Sequence, residues 1–203
     1  ENWQTFAELG WLSVPFAESH GGFGGGPVDT MVMMEEFGKG IVLEPYLATV
    51  LLFGGLLQRG GSVEQQAEII PRIIEGGCQG AFAYLERQSR HQLADIKTTA
   101  TVEGDQLVLN GEKVVVFNGA SADQLIVAAR SSGEQSDEAG ITLVLVPADA
   151  AGVERTAYRL MDGQVVANIT FSDVQVPVAD IVGELGNGYA VMGPVITQAN
   201  VAL

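Results

Sequence analysis

Three basic side chains cluster in the stretch AFAYLERQSRHQLADIK, residues 81–97, which contains Arg87, Arg90 and His91. The chain as a whole has only 10 Lys and Arg against 25 Asp and Glu. Guanidinium groups bind carboxylates and phosphates through paired hydrogen bonds. Two interpretations stay open: a loop that binds an anion, or a solvated loop whose charges pair locally with Glu86 or Asp95.

The other residues capable of chemistry do not combine into an active site of their own. Glu35 and Glu36 are adjacent on a predicted helix, so they point to different sides and suit a solvated face. Cys78 has no histidine near it in sequence and is expected to be a buried, inert thiol. His20 and His91 lack the spacing of zinc ligands, and no serine lies in a GxSxG elbow. We therefore expect no metal site and no triad of the Ser-His-Asp kind.

The glycine-rich segment HGGFGGGP, residues 20–27, resembles a phosphate cradle only in composition. It lacks the GxxxxGK[ST] spacing, and no strand precedes it. Glycine supplies backbone conformations with positive φ that other residues adopt poorly. The segment therefore predicts a tight loop between helices.

Composition excludes several classes of function. A formal net charge of −15 opposes binding to nucleic acid and to anionic membrane surfaces. Apolar residues make up 47% of the 203 residues, which is enough to bury a core. A single cysteine favours a reducing, cytoplasmic compartment. The apolar segment 41–57 contains Glu44, Pro45 and two glycines, which argues against a membrane span. Because the sequence starts at Glu1 and ends mid-pattern at Leu203, we expect both ends to be truncated.

The elements that must position these residues are helices first and strands second. Ser62 and Gln65 form a capping box, Pro27 suits the first residue of a helix, and Pro71 should kink or restart one. A change of apolar period at Gly76-Gly77 predicts strands, and Gly104-Asp105 predicts a two-residue hairpin loop. Segregated helices and strands favour an α+β fold with a small antiparallel barrel or sandwich. The predicted helices are 2–9, 27–38, 45–59, 63–75 and 189–203, and the predicted strands are 81–85, 97–103, 106–110, 113–117, 124–130, 141–147 and 165–172.

Five stretches in succession resemble the acyl-CoA dehydrogenase family. PFAESHGGFGGGPVDTMVMMEEFGKG is similar to its helix-loop-helix signature, and IIPRIIEGGCQGAFAYLE to the segment that ends in T-E-P. IKTTATVEGDQLVLNGEKVVVFNGASAD resembles the run that contains N-G-x-K-x-W-I-T-N-G. GITLVLVPADAAGV and NITFSDVQVPVADIVGELGNGY match its later strands and the G-x-G turn. The resemblance covers almost the whole chain in order.

The resemblance implies an N-terminal helical domain at 1–76, a middle β-barrel domain at 77–186, and the first helix of a C-terminal helical bundle at 187–203. Family members bind FAD between barrel and bundle and oxidise an acyl-CoA at its α and β carbons. A carboxylate base removes the α proton while the β hydrogen leaves as hydride to flavin N5. The base belongs to the C-terminal bundle, so the resemblance places no catalytic residue within these 203 residues.

The same resemblance implies which residues contact cofactor and substrate. Leu85 stands where the family has the threonine of T-E-P, and Arg87 replaces the proline. Val115 and Phe117 replace the Trp and Thr of W-I-T, so two hydroxyls that help to hold the flavin are absent. Phe117 or Tyr84 could supply aromatic packing instead. The predicted substrate contacts are Arg87, Arg90 and His91, and the predicted FAD contacts are Phe82, Tyr84, Leu85, Glu86, Val115, Val116 and Phe117.

Three functions remain open at this stage. The first is an FAD-dependent acyl-CoA dehydrogenase that passes electrons to an electron-transfer flavoprotein. The second is a non-catalytic subunit of a heteromeric acyl-CoA dehydrogenase, which the losses at Leu85, Val115 and Phe117 would fit. The third is a ligand-binding β-barrel without redox chemistry, against which the helical N-terminal match argues. The expected partners are an acyl-CoA and related chains in a homo- or hetero-oligomer, with neither nucleic acid nor membrane.

Overall fold

The computed structural model describes residues 2–203, in which helices come first, strands follow and a helix ends the chain. This order confirms the predicted α+β class. Within those residues the α-helices are α1 (Asn2–Glu8), α2 (Pro27–Gly40), α3 (Gly55–Gly60), α4 (Val63–Ile74) and α5 (Gly188–Ala202), and a π-helical segment, Leu47–Gly54, leads into α3.

The helix starts follow the sequence signals. Pro27 is the first residue of α2. At α4 the Ser62 hydroxyl accepts the Gln65 N–H at 3.1 Å, and the Gln65 side chain accepts the Ser62 N–H at 2.9 Å, so the predicted capping box is confirmed. The helix continues through Pro71 to Ile74, so the predicted restart there is wrong.

The glycine-rich segment is a tight loop, as predicted. A Cβ on Gly22 would lie 2.0 Å from the Phe16 carbonyl oxygen, and one on Gly25 would lie 2.7 Å from that of Val14. Gly21 has φ +87°. Close backbone approach and a left-handed turn therefore explain the glycines.

Eight strands form one sheet in the order β6-β7-β3-β2-β4-β5-β8, with β1 pairing off this path with β4. The β1–β4 pairing is parallel, as is the single contact between β2 and β4. The sheet is therefore mixed, and the prediction of a wholly antiparallel sheet is wrong. The strands are β1 (Gly80–Ala83), β2 (Thr99–Glu103), β3 (Gln106–Phe117), β4 (Gln124–Arg130), β5 (Ile141–Pro147), β6 (Val153–Arg159), β7 (Val165–Pro177) and β8 (Ile181–Val182).

Two predicted strands are one strand in the structure. Segments 106–110 and 113–117 join as β3, whose pairing with β7 shifts register between Leu109 and Gly111 and again between Lys113 and Val116. The hairpin loop Gly104-Asp105 is confirmed, because Glu103 pairs directly with Gln106. β6 was not predicted, since most of its residues are exposed and polar.

Two apolar cores share strand β4. Leu125, Val127 and Ala129 point into a core enclosed by the sheet. Ile126 and Ala128 point the other way, into a core built with the helices. Period-two alternation therefore buries both faces of this strand. None of the helices within residues 2–203 has the length and apolar character that crossing a membrane requires.

Candidate functional site

The predicted site residues come together where the chain leaves β1 and passes the end of β3. The backbone N–H of Val114 donates to the carbonyl of Leu85 at 2.9 Å. This bond places the segment Tyr84–Glu86 beside the segment 113–117. The structure thus brings together two stretches that lie almost thirty residues apart in sequence.

The end of β3 contains a bulge with an unusual backbone. Val115 has φ +52°, in the left-handed region, although it is β-branched. Such a conformation costs about 1–2 kcal/mol for an L-residue. The Val115 N–H donates to Asn168 Oδ1 at 3.3 Å, and the Tyr158 hydroxyl contacts the same oxygen at 3.2 Å. These bonds from neighbouring strands hold the bulge in place.

The site residues divide into accessible and buried ones. Tyr84, Leu85, Val115 and Phe117 are half-buried. Phe117 also lines a recess of about 720 Å³ between the loop after α2 and the β6–β7 hairpin. The accessible side chains are apolar or aromatic, so the surface suits the flat face of a ring system.

Phe82 and Val116 are only 3% and 2% exposed and belong to the two cores. The Phe82 ring stacks on Tyr84 with centroids 4.8 Å apart. The buried Phe82 ring therefore supports the Tyr84 ring by stacking against it. Cofactor contacts by Phe82 and Val116 stay a prediction.

One backbone donor at this site is available. The N–H of Leu85 donates to no acceptor within residues 2–203, whereas its carbonyl is bonded to Val114. The residue is half-buried, so an acceptor from a bound molecule could reach the N–H. An unpaired N–H in such a place favours a ligand that brings a carbonyl oxygen.

Glu86 lies beneath this surface and is paired with a lysine that the sequence did not single out. Glu86 Oε1 lies 2.7 Å from Lys113 Nζ, and the two side chains are 4% and 0% exposed. The carboxylate also accepts the Lys97 N–H at 2.8 Å, the Thr98 N–H at 3.0 Å and the Gln88 amide at 2.8 Å. Four protein donors therefore occupy both of its oxygens.

Burial raises the pKa of Glu86, but the charge and hydrogen bond of Lys113, with the donors at Gln88 and Lys97, outweigh it and lower that pKa to about 2. Burial lowers the pKa of Lys113 to about 8, against the opposing effect of Glu86. One signal in the sequence could have found the lysine. It shares the strand parity of Leu107 and Leu109, which both point inward.

The basic residues of the following loop are exposed, and the local pairing that one of the two interpretations expected is absent for Arg87. Arg87 pairs with Glu112 at 3.0 Å, not with Glu86 or Asp95. Asp95 instead accepts the side-chain amides of Gln88 at 3.2 Å and Gln135 at 2.5 Å. The Arg90 and His91 side chains make no hydrogen bond within residues 2–203, so they are available to an anion.

A buried arginine fixes the loop that carries these residues. Arg130 donates to the carbonyls of Ala94 at 2.8 Å, Gln135 at 2.9 Å and Ala139 at 2.8 Å. It thereby joins the basic loop to the acidic loop SSGEQSDEAG at residues 131–140, which is exposed as predicted. The basic side chains thus stand on a loop of defined shape.

Cys78 and the two adjacent glutamates lie in the surroundings that the sequence indicated. Cys78 is fully buried, and burial raises its pKa to about 11. Glu35 and Glu36 both pair with Lys39, at 3.0 and 2.8 Å, on an exposed helix face. Residues 2–203 contain no cluster of three or more His, Cys, Asp or Glu side chains that could hold a metal ion.

Comparison with known proteins identifies the same family over both halves of the chain. The family model "Acyl-CoA dehydrogenase, N-terminal domain" matches residues 1–77, and "Acyl-CoA dehydrogenase, middle domain" matches residues 81–174. The chain is similar to "Acyl-CoA dehydrogenase FadE29" of Mycobacterium tuberculosis, with 31% identity over 94% of this chain and 49% of that protein.

Solved structures agree. The "Tcur3481-Tcur3483 steroid ACAD" superposes with a TM-score of 0.90 at 27% identity, covering 99% of this chain and 52% of that one. The "ChsE4-ChsE5 complex from Mycobacterium tuberculosis" gives a TM-score of 0.87 at 28% identity, covering 97% of this chain and 51% of that one. The chain spans about half the length of the relatives that it matches.

Proposed function

Because this chain belongs to the acyl-CoA dehydrogenase family, we propose that it is part of an FAD-dependent enzyme that oxidises an acyl-CoA thioester between its α and β carbons. The observation that carries the proposal is the joined surface at Tyr84–Leu85 and 115–117. It offers an unpaired N–H and half-buried rings at the segments where the family resemblance implies flavin contacts.

The chemistry of this surface fits the ring system of FAD. The flavin ring is flat, has apolar faces and bears carbonyl oxygens at its edge. Tyr84 and Phe117 supply aromatic side chains, and the Leu85 N–H supplies a donor that does not depend on the side chain. The hydroxyls that the family carries at positions 85 and 117 are absent, so we expect backbone and packing contacts to replace them.

When bound, FAD would supply the hydride acceptor of the reaction. The chain's own residues would hold and shield it: the Leu85 N–H would donate to a ring carbonyl, and Tyr84 and Phe117 would exclude water from the ring face. The base that removes the α proton is proposed to lie outside residues 1–203. Electrons would then leave to an electron-transfer flavoprotein, in a cytoplasmic setting.

We propose that Arg87, Arg90 and His91 recognise the anionic part of a ligand. Arg90 and His91 are exposed, without hydrogen-bond partners among the described residues, on a loop that Arg130 holds in shape. Arg87 would exchange its exposed pairing with Glu112 for the ligand. A phosphate of CoA, a phosphate of FAD, or a carboxylate on a dicarboxylic acyl chain would each suit two guanidinium groups.

The test is the absorption spectrum and activity of the full-length protein. We expect a yellow protein with bound FAD that reduces an artificial electron acceptor when an acyl-CoA is added. Replacing both arginines, Arg87→Gln with Arg90→Gln, should raise KM for acyl-CoA more than it lowers kcat. A colourless protein whose spectrum does not change on addition of FAD would contradict the proposal.

A second candidate function is a non-catalytic subunit of a heteromeric acyl-CoA dehydrogenase. Leu85 and Phe117 favour it, because neither can offer the flavin a hydroxyl. Two of the similar structures bear paired protein names, Tcur3481-Tcur3483 and ChsE4-ChsE5. Under this alternative the chain copurifies with a related chain, and the complex holds one FAD per pair of chains. One FAD for every chain in the assembly supports the first function.

A further inference from the structure

The buried ion pair between Glu86 and Lys113 joins the two backbone segments that are proposed to contact the flavin. Its members lie 27 residues apart in sequence, and their side chains are almost completely withdrawn from solvent. Both carboxylate oxygens are already occupied by protein donors. Neither side chain is thus free to contact a ligand directly, and any influence on a cofactor must pass through the backbone.

Two successive residues of β3, Lys113 and Val114, bind three successive residues of the other segment, 84–86. Lys113 Nζ lies 2.7 Å from Glu86 Oε1 and 3.4 Å from the Tyr84 carbonyl oxygen. The Val114 N–H donates to the Leu85 carbonyl at 2.9 Å. Leu85 is therefore held by its own carbonyl and by both of its neighbours. The direction of its unpaired N–H follows from these three bonds.

On the other side, Glu86 connects this arrangement to the start of β2. It accepts the backbone N–H groups of Lys97 and Thr98 at 2.8 and 3.0 Å. The pair thereby ties β1, β2 and β3 together directly before the bulge at Val115. The left-handed backbone of that bulge is held on its far side by Asn168. The ion pair holds the residues that precede the bulge.

A stability role alone explains this pair poorly. Well-packed apolar side chains of similar volume stabilise a buried site as well as an ion pair does, because two charges must be removed from water to bury the pair. Directional bonds differ from apolar contacts in that they fix the angle and distance of the groups that they join. We propose that Glu86 and Lys113 are a positioning pair that sets the Leu85 N–H and the Val115 turn against the flavin ring. This inference rests on the proposed FAD function.

The test compares variants of the full-length protein by FAD affinity and by the spectrum of the bound flavin. The double variant Glu86→Gln with Lys113→Met removes both charges, so neither is left buried and unpaired. We expect this variant to fold, with circular dichroism like that of the unaltered protein, but to bind FAD at least about tenfold more weakly. The fine structure of its main visible absorption band should also be lost, because the ring surroundings become less uniform.

The matched control is Glu112→Gln. Glu112 lies next to Lys113, and its replacement breaks the exposed pair with Arg87 but leaves the buried pair intact. Its flavin spectrum should match that of the unaltered protein and its FAD affinity should not fall, because the buried pair is intact and Arg87 is released to an anionic ligand. Should the double variant fail to fold, Glu86→Gln alone serves, since the buried Lys113 can then release its proton. It should weaken FAD binding in the same direction.

The outcomes distinguish a failure of the positioning role from a failure of the proposed FAD function. A folded variant that binds FAD within about twofold of the unaltered protein, with the same spectrum, overturns the positioning role and leaves the proposed function standing. An unaltered full-length protein that binds no FAD overturns the proposed function, and the positioning role with it.

Discussion

The acid sensitivity of this fold should depend on Glu86. Its pKa in the folded state is lowered from 4.5 to about 2. For a carboxyl with a lowered folded-state pKa, the associated stability is present above the ordinary pKa and is lost as the pH falls towards the folded value. A difference of about 2.5 pKa units corresponds to about 3 kcal/mol, of which about 2 kcal/mol is lost by about pH 3. Glu86 is 5% exposed, so solvent screens the effect little.

Urea unfolding of the unaltered protein and of the double variant Glu86→Gln with Lys113→Met, at about pH 6 and about pH 3, measures this contribution. Neither glutamine nor methionine titrates, so the difference in unfolding free energy between the two proteins should shrink by about 2 kcal/mol from the higher to the lower pH. In the unaltered protein Lys113, whose pKa is about 8 beside Glu86, stays charged throughout this window. A Glu112→Gln control should change stability much less, because solvent screens the pair that it breaks. A difference that is the same at both pH values would refute the reasoning.

Three further predictions concern single side chains. Gly80→Ala should destabilise the fold by about 1–3 kcal/mol, because the new Cβ would lie 2.1 Å from the Phe53 ring; Gly38→Ala, which meets nothing within 4 Å, should be neutral or stabilising in the same thermal unfolding assay. Arg130→Met should leave the carbonyls of Ala94 and Ala139 without their guanidinium donor, so limited proteolysis should cut the acidic loop at least about tenfold faster; equal cutting rates would contradict this. Cys78 should not react with a thiol reagent at about pH 8 in the folded protein and should react after denaturation, because burial raises its pKa to about 11.

The sequence predicted most of the fold because local signals and apolar periods agreed. The strands at 124–130 and 141–147 have the predicted ends, since both are continuous apolar runs bounded by polar turns. β6 was missed because a strand at the edge of the sheet, exposed on most of its length, carries no apolar alternation. Bulges likewise cannot be read from apolar periodicity, so β3 was predicted as two strands.

The site was only partly predictable, for a different reason. Residues 84–86 and 115–117 were found through resemblance to short family motifs, and the structure places these two stretches side by side. The partners of the charged residues depend on chain crossings that no local pattern encodes. Arg87 therefore pairs with Glu112, and Glu86 pairs with Lys113, whereas one of the two interpretations of the loop paired its charges locally with Glu86 or Asp95.

The two faces of strand β4 pack into different cores, and one of these cores spans the proposed domain boundary between residues 76 and 77. Positions 125, 127 and 129 belong to one core, and positions 126 and 128 to the other. Separating the two parts at this boundary would expose the apolar core that contains Ile126 together with Ile70 and Phe53 of the helical part. We therefore expect the helical part and the sheet to unfold together. Neighbouring substitutions along this strand would report on different cores.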